Sequence, residues 1–355
     1  MKKYYSINPV GLLNSSKKYN ENEDYYQYEN SSFNYKYDPY LSNVCYINSS
    51  IQCLFHLKQF SDLIIDSPGK PLITATRNLL IEMIKSRKEG KSNLTVKEIK
   101  EQMGVKDDRY NNNHQEDANE FISNFLDALH EETINKSCFD KIPYLKKDLV
   151  KEYEKFYNKF YGRKGHSIIF DLFYGNYITK KSCKKCGKSS YKFSAFNMIE
   201  LPIYDLAQRK RYSTYNTYSI LDINEVLSSY FSESKIDGAK CECGEDIYSK
   251  TSIFKLPKIL IVFFGRTVNG QYISNKISYS EILDLKNYLY DKSISNDYKY
   301  SLSGVIHYIS FGKKLGHYTA SCQCDDGWYY FDDSMVTKVQ NLYPNEIILF
   351  YENKS

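Results

Sequence analysis

After about residue 168 this chain stops reading as helices and starts reading as strands. Before that point, "QEDANEFISNFLDALHEE" places Ala118, Phe121, Ile122, Phe125, Leu126 and Leu129 at i, i+3, i+4, i+7, i+8 and i+11, an apolar stripe with acids opposite. Glu116, Asp117 and Glu120 fall in its first turn, where the positive end of the helix dipole favours them. From Cys45 to Leu57, the positions Ile47, Ile51, Leu54, Phe55 and Leu57 suit one helical face, with Ser42 or Asn43 as N-cap. Residues 145–160, "LKKDLVKEYEKFYNKF", predict a third, more charged helix. Later come "SIIFDLFYG", "KILIVFF", "YSLSGVIHYI", "HYTASCQ", "WYYF" and "EIILFYE", all strand-like. Helices first and strands later predict an α+β fold. Residues 204–218 and 295–301 read as loops, and residues 1–36 as a low-complexity, flexible tail.

Forty-eight basic against 43 acidic residues leave a net charge of +5 with no concentrated basic stripe, so no nucleic-acid partner is expected. The longest clear apolar run, Ile259–Phe264, is far too short to enter a membrane as a span. The N-terminus "MKKYYSINPV" has no apolar stretch after its lysines. The expectation is an intracellular protein, cytoplasmic, nuclear or both. Nine cysteines, an odd number, then read as thiols, metal ligands or a nucleophile rather than a disulfide framework.

Two cysteine pairs stand out. "CKKCG" supplies Cys183 and Cys186, and "CECG" supplies Cys241 and Cys243; each is followed by the glycine that a tight knuckle turn favours. Four thiolates can close a tetrahedral zinc shell, and such a shell is structural because it leaves no open position. Paired structural thiols are the other reading, since the second spacer is a single residue. Cys322 and Cys324 share one face of a strand and have no companion pair, so they read as packing or surface thiols.

A thiol at a helix start is easily ionised when a histidine stands beside it. Cys45 has the helix start. His317, in "LGHYTASC", lies on an extended stretch, and "GWYYFDDSMV" follows after a short Asp-Asp-Gly connection. Two antiparallel strands so joined bring His317 toward Asp332 and Asp333. A Cys, a His and an orienting acceptor are the parts of a nucleophilic hydrolase.

With these segments in place the chain resembles the ubiquitin-specific proteases, papain-like cysteine deubiquitinases. "NVCYINSSIQCLFHL" resembles the family's Cys box and "HQEDANEF" its Gln-Asp helix start. "LPKILIVFFGR" is similar to its Leu-Pro strand ending in a basic residue, and "LGHYTASCQCDDGWYYFDDSMV" to its His box. The resemblance, over residues 38–352, implies a right-hand architecture with a zinc-ribbon-like fingers region. It implies a catalytic domain over 37–355, with a thumb near 40–165, fingers near 175–255, and a palm from 166–174 and 256–355. It implies Cys45 as nucleophile, His317 as general base and acid, Asp332 as orienting residue and Asp333 as support. Gln115, Asp117 and Gly316 match positions beside the incoming ubiquitin tail, and Cys183, Cys186, Cys241 and Cys243 match zinc ligands. The implied partners are ubiquitin and ubiquitinated proteins, met by a monomer that needs no cofactor for catalysis.

The pattern also breaks. Tyr40 stands where the family has the asparagine that helps form the oxyanion hole, and one such donor is worth on the order of 10²–10³ in rate. Ser42, Val44, Glu116 and Leu315 are further departures. They keep open a catalytically weak ubiquitin-binding module, and a protease for another ubiquitin-like modifier.

Overall fold

A computed structural model describes residues 9–14, 39–89, 94–135, 147–214, 219–292, 298–312 and 315–353. Most of the expected tail, and parts of both expected loops, lie outside these residues. The chain divides into two compact units, one of Met1–Glu132 with Ser303–Asn345, the other of Thr133–Leu302 with Glu346–Ser355.

The first unit is built around helix α1 (Cys45–His56), whose residues from Cys45 to Phe55 are all buried. The sequence pattern suggested one buried face; the helix is enclosed on every side. Its polar side chains therefore need partners. Ser50 Oγ donates to the Tyr46 carbonyl at 2.6 Å, and Gln52 Nε2 donates to the Val10 carbonyl at 2.6 Å. Asn48 Nδ2 lies 3.3 Å from the carbonyls of both Leu12 and Leu13. Residues 9–14 are thus packed onto α1, with Leu12 fully buried, and this part of the expected tail is an ordered segment. The helices α2 (Lys58–Asp66), α3 (Pro71–Glu89), α4 (Lys97–Lys106) and α5 (Ala118–Thr133) follow. The α5 stripe is as expected: Ala118, Phe121, Ile122, Phe125, Leu126 and Leu129 are all fully buried.

The other side of α1 packs on an antiparallel sheet. Residues 303–312 of strand Lys299–Gly312 pair with Leu315–Cys324, which pairs with Gly327–Asp332, which pairs with Met335–Val339. The Asp325–Asp326 turn joins the second and third of these, as the sequence predicted. Cys322 faces inward, 3.9 Å from Cys53 of α1, and both thiols are fully buried.

Two histidines, half-buried His56 and buried His307, tie this unit to pH. His56, whose Nδ1 lies 2.7 Å from the Gln52 carbonyl, and His307, whose Nε2 lies 2.9 Å from Ser321 Oγ, are each pushed down to about 4 by burial. Both fold as neutral rings. Their contribution to stability is full above the unfolded value near 6.5 and is lost as pH falls from there toward 4. At about 1.4 kcal/mol per pKa unit, each histidine is worth on the order of 3 kcal/mol across that window. Urea unfolding should show a midpoint that drops between pH 7.5 and 4.5, with a shallower drop in the His56→Gln, His307→Gln protein; equal slopes would contradict this account.

The second unit opens with α6 (Lys147–Lys164), whose Tyr153, Tyr157 and Tyr161 are buried. The Tyr153 ring stands edge-on to Phe193 at 5.1 Å and close to Phe254 at 5.2 Å, so the helix is fastened by aromatic packing. The next stretch corrects the sequence reading: Ile168–Phe173 is a short helix, α7, capped by Ser167 Oγ accepting from the Phe170 N–H. A run of six apolar and mixed residues does not separate strand from buried helix. Tyr204–Thr214, expected as loop, is helix α8. Strands run in the order Ser189–Phe196, Gly175–Cys183, Asp246–Lys255, Ser234–Lys240. A separate set joins Glu346–Glu352 antiparallel to Ile259–Gly265, which is parallel to Ile199–Pro202.

Arg266, just past the Ile259–Gly265 strand, is a buried cation with a full set of partners. Its Nε donates to the Glu346 carbonyl at 2.8 Å, Nη2 to Glu346 Oε1 at 2.9 Å, and Nη1 to the Ile273 and Asn275 carbonyls at 2.9 and 2.7 Å. Glu346 Oε1 also accepts from the Ile277 N–H at 2.7 Å. Among the described residues no helix is long and apolar enough to cross a membrane.

Candidate active site

Cys45 is the first residue of α1 and is almost fully buried. The expected N-cap is corrected. Val44 occupies that position with no side-chain cap hydrogen bond, while Asn43 adopts a left-handed φ of 58° and turns its amide to the Asn113 carbonyl at 2.8 Å. The positive end of the helix dipole is therefore directed at Cys45.

His317 arrives from the strand Leu315–Cys324. Its Nε2 lies 2.6 Å from Asp332 Oδ1, at the end of the neighbouring strand Gly327–Asp332. That bond fixes the ring orientation and leaves Nδ1 for the sulfur. Burial opposes a charged ring, but hydrogen bonds to Asp332 and Cys45, with the nearby charges of Cys45 and Asp333, outweigh it and push His317 up to about 10. Cys45, His317, Asp332 and Asp333 meet within the first unit although they are far apart in sequence.

Asp333 follows in a left-handed conformation, φ 50°. Its carboxylate accepts from Asn48 Nδ2 at 2.8 Å through one oxygen and from Asn14 Nδ2 at 2.9 Å through the other. Burial raises its pKa, against those donors and the His317 charge, which lower it. Neither asparagine was singled out from sequence. Asn48 lies one helical turn beyond Cys45, a spacing that puts it on the same side of α1.

The residues matched to a substrate tail are placed as follows. Gln115 spends its amide on Gly316: Nε2 donates to the Gly316 carbonyl at 2.8 Å, and Oε1 accepts the Gly316 N–H at 3.1 Å. It therefore holds the strand that carries His317. Gly316 is required by its neighbour, since a Cβ there would stand 2.2 Å from the Tyr308 ring. Asp117 Oδ1 accepts from the Tyr318 hydroxyl at 3.0 Å. Tyr40 sits in a short 3-10 turn, with its carbonyl 2.5 Å from Lys100 Nζ and its ring 4.2 Å beneath the same ammonium. Leu315 is exposed.

In the second unit, Cys183 Sγ lies 3.5 Å from Cys243 Sγ, and Cys186 Sγ 3.5 Å from Cys241 Sγ; all four sulfurs fall within 4.8 Å of one another. A tetrahedral zinc with bonds of about 2.3 Å needs sulfur–sulfur edges of about 3.8 Å, so the set could hold zinc. Gly187 and Gly244 supply the left-handed turns, φ 73° and 83°, that fold each pair back.

The family model for ubiquitin carboxyl-terminal hydrolase matches residues 40–351. The chain belongs to the ubiquitin carboxyl-terminal hydrolase family. Ubiquitin carboxyl-terminal hydrolase Usp2 of Drosophila melanogaster is 26% identical over 381 residues, covering 98% of this chain and 38% of that protein. Ubiquitin carboxyl-terminal hydrolase 4 of Saccharomyces cerevisiae is 26% identical over 378 residues, covering 90% and 40%. The chain spans about two-fifths of the length of these curated relatives. Among solved structures, a chain of the SAGA DUB module of Ubp8, Sgf11, Sus1 and Sgf73 bound to monoubiquitin matches with a TM-score of 0.67 at 20% identity, over 88% of this chain and 67% of that one. The likeness carries the expected α+β fold of the family. The expected monomer gains no support from this neighbour, which is assembled with other subunits.

Proposed function

We propose that this chain is a cysteine-dependent deubiquitinase that cleaves the isopeptide or peptide bond after the C-terminal Gly-Gly of ubiquitin. The observation that carries this reading is the Cys45–His317–Asp332 arrangement, with the His317 ring held at 2.6 Å by Asp332 and within hydrogen-bonding reach of Cys45. The family match and the relatives' names support ubiquitin as the modifier. Cys45 Sγ attacks the glycine carbonyl carbon. His317 takes the thiol proton and gives it to the leaving amine as the C–N bond breaks. Water, deprotonated by the same ring, then releases ubiquitin from the thioester. Gln115, by holding Gly316, keeps the His317 strand in register beside a tail narrow enough to pass.

The catalytic domain in this reading comprises residues 37–355 together with 9–14. Turnover of ubiquitin carrying a C-terminal fluorescent amide tests the activity. Steady hydrolysis supports the reading; tight ubiquitin binding without hydrolysis would favour the catalytically weak ubiquitin-binding module that Tyr40 suggests, and preference for another modifier would move the substrate. The four cysteines hold a structural zinc in this reading. Metal analysis of the purified protein is expected to give a single zinc per chain, released together with four titratable thiols. Chelation should lower the melting temperature. A metal-free protein of unchanged stability would remove zinc from the account.

A further inference from the structure

We infer that Lys100, a buried lysine of α4, is a positioning residue for the nucleophile, acting on the turn that delivers Cys45 to the head of α1. The inference rests on the deubiquitinase reading above. Val96, Ile99, Lys100 and Met103 fall at i, i+3, i+4 and i+7, and each is at most 1% exposed. An apolar side chain would complete that stripe. An ammonium there gives up its hydration, and persists only where its protons find partners. Lys100 Nζ donates to the Tyr40 carbonyl at 2.5 Å, stands 4.2 Å from the centre of the Tyr40 ring, and lies 3.5 Å from Asn113 Oδ1. The lysine thus reaches out of α4 to the short turn just ahead of Cys45.

The other end of that turn is tied to the same block. Asn43 Nδ2 donates to the Asn113 carbonyl at 2.8 Å. The block is locked within itself: Asn111 Nδ2 donates to the Gly104 carbonyl of α4 at 3.0 Å, and a Cβ on Gly104 would stand 2.0 Å from Asn111 Oδ1. Asn43 is not glycine, yet it adopts a left-handed φ of 58°. Such a conformation persists when its surroundings over-determine it. Helix α1 does not supply the restraint, since its N-cap Val44 forms no side-chain cap hydrogen bond. The direction in which the chain enters α1, and with it the place of Cys45 Sγ beside His317, is therefore set from α4. Without the ammonium, the Tyr40 carbonyl loses this donor and the turn is free to relax. A misplacement near 1 Å of the attacking atom can cost about 10²-fold in rate.

The experiment uses the full chain. Lys100→Met keeps an apolar stem and removes the ammonium. Its kcat for the ubiquitin amide substrate is expected to fall about 10- to 100-fold, with KM within about twofold of wild type, because a buried side chain touches no substrate. Asn43→Gly cuts the other tie but accepts the left-handed φ, and is expected to lose about 10-fold; Asn43→Ala, strained at that φ, is expected to lose more. Combining Lys100→Met with Asn43→Gly is expected to add less than about threefold to the larger single loss, because both ties act through one turn. End-point labelling with ubiquitin bearing a C-terminal electrophile counts reactive sites, so kcat is taken per site and misfolding is separated from slowed chemistry. Wild-type kcat per site in Lys100→Met would overturn the inference whatever happens to stability, since the lysine would then serve folding alone. A rise in KM at unchanged kcat, or a fully multiplicative loss in the double variant, would overturn it as well. Each of these results leaves wild-type turnover, and with it the deubiquitinase reading, intact; absence of wild-type turnover strikes that reading instead.

Discussion

Changing Cys45 to alanine is expected to lower hydrolysis of the ubiquitin amide substrate by at least about 10⁴-fold, while ubiquitin binding survives. The sulfur is the atom that attacks, and nothing else at the head of α1 can replace it. His317→Ala should cost a similar amount, and the double variant little more than either single one, because the pair acts as one unit. Steady-state kinetics on the three proteins, with covalent labelling by the electrophilic ubiquitin as a second readout, decide the matter. Cys45→Ala protein that still labels would move the nucleophile elsewhere. The nearest alternatives are poor: Cys53 and Cys322 are fully buried against each other, and burial pushes the Cys322 thiol well up.

The largest effect on stability is expected at Arg266. Its guanidinium and Glu346 are both about 1% exposed, and neither is expendable while the other stays. Arg266→Ala leaves the Glu346 carboxylate with backbone donors and no cation beside it, and takes a donor from the Ile273, Asn275 and Glu346 carbonyls. Breaking such a buried pair from one side typically costs about 3–5 kcal/mol. Chemical unfolding should show that loss, and the paired Arg266→Met, Glu346→Leu protein should recover part of it, since the desolvation of two charges is removed together. A loss under about 1 kcal/mol in Arg266→Ala would mean that water replaces the guanidinium.

Arg266 also shows where sequence reading succeeds and where it stops. The basic residue ending "LPKILIVFFGR" was visible as part of a motif, but its partner Glu346 lies 80 positions on and nothing local points to it. The α5 stripe and the His317–Asp332 hairpin were legible because period and turn chemistry are local signals. Helix α7 was not: "IIFDLF" is apolar enough for either element, and only the Ser167 cap distinguishes them. Helix α8 reads as loop because its sequence, "YDLAQRKRYST", offers little apolar periodicity. Among the site residues, Cys45, His317 and Asp332 carry their chemistry in their side chains and announce themselves. Asn48 and Asn14 are ordinary residues made important by what they touch. The one available hint was the apolar run Val10, Leu12, Leu13 inside a polar stretch, which a tail has no reason to carry.

The first unit is interrupted in sequence: its sheet comes from residues 303–345 and its helices from before residue 133. On the ribosome, α1 emerges long before the strand Leu315–Cys324 that covers it. At about 5–20 residues per second the wait is on the order of tens of seconds. Throughout it a helix destined for complete enclosure has no sheet to lie on, and the nascent chain carries no thiol–imidazole pair. The pairing of thiol and imidazole therefore waits until the strand Leu315–Cys324 has been made, and a chain cut short before His317 cannot form it.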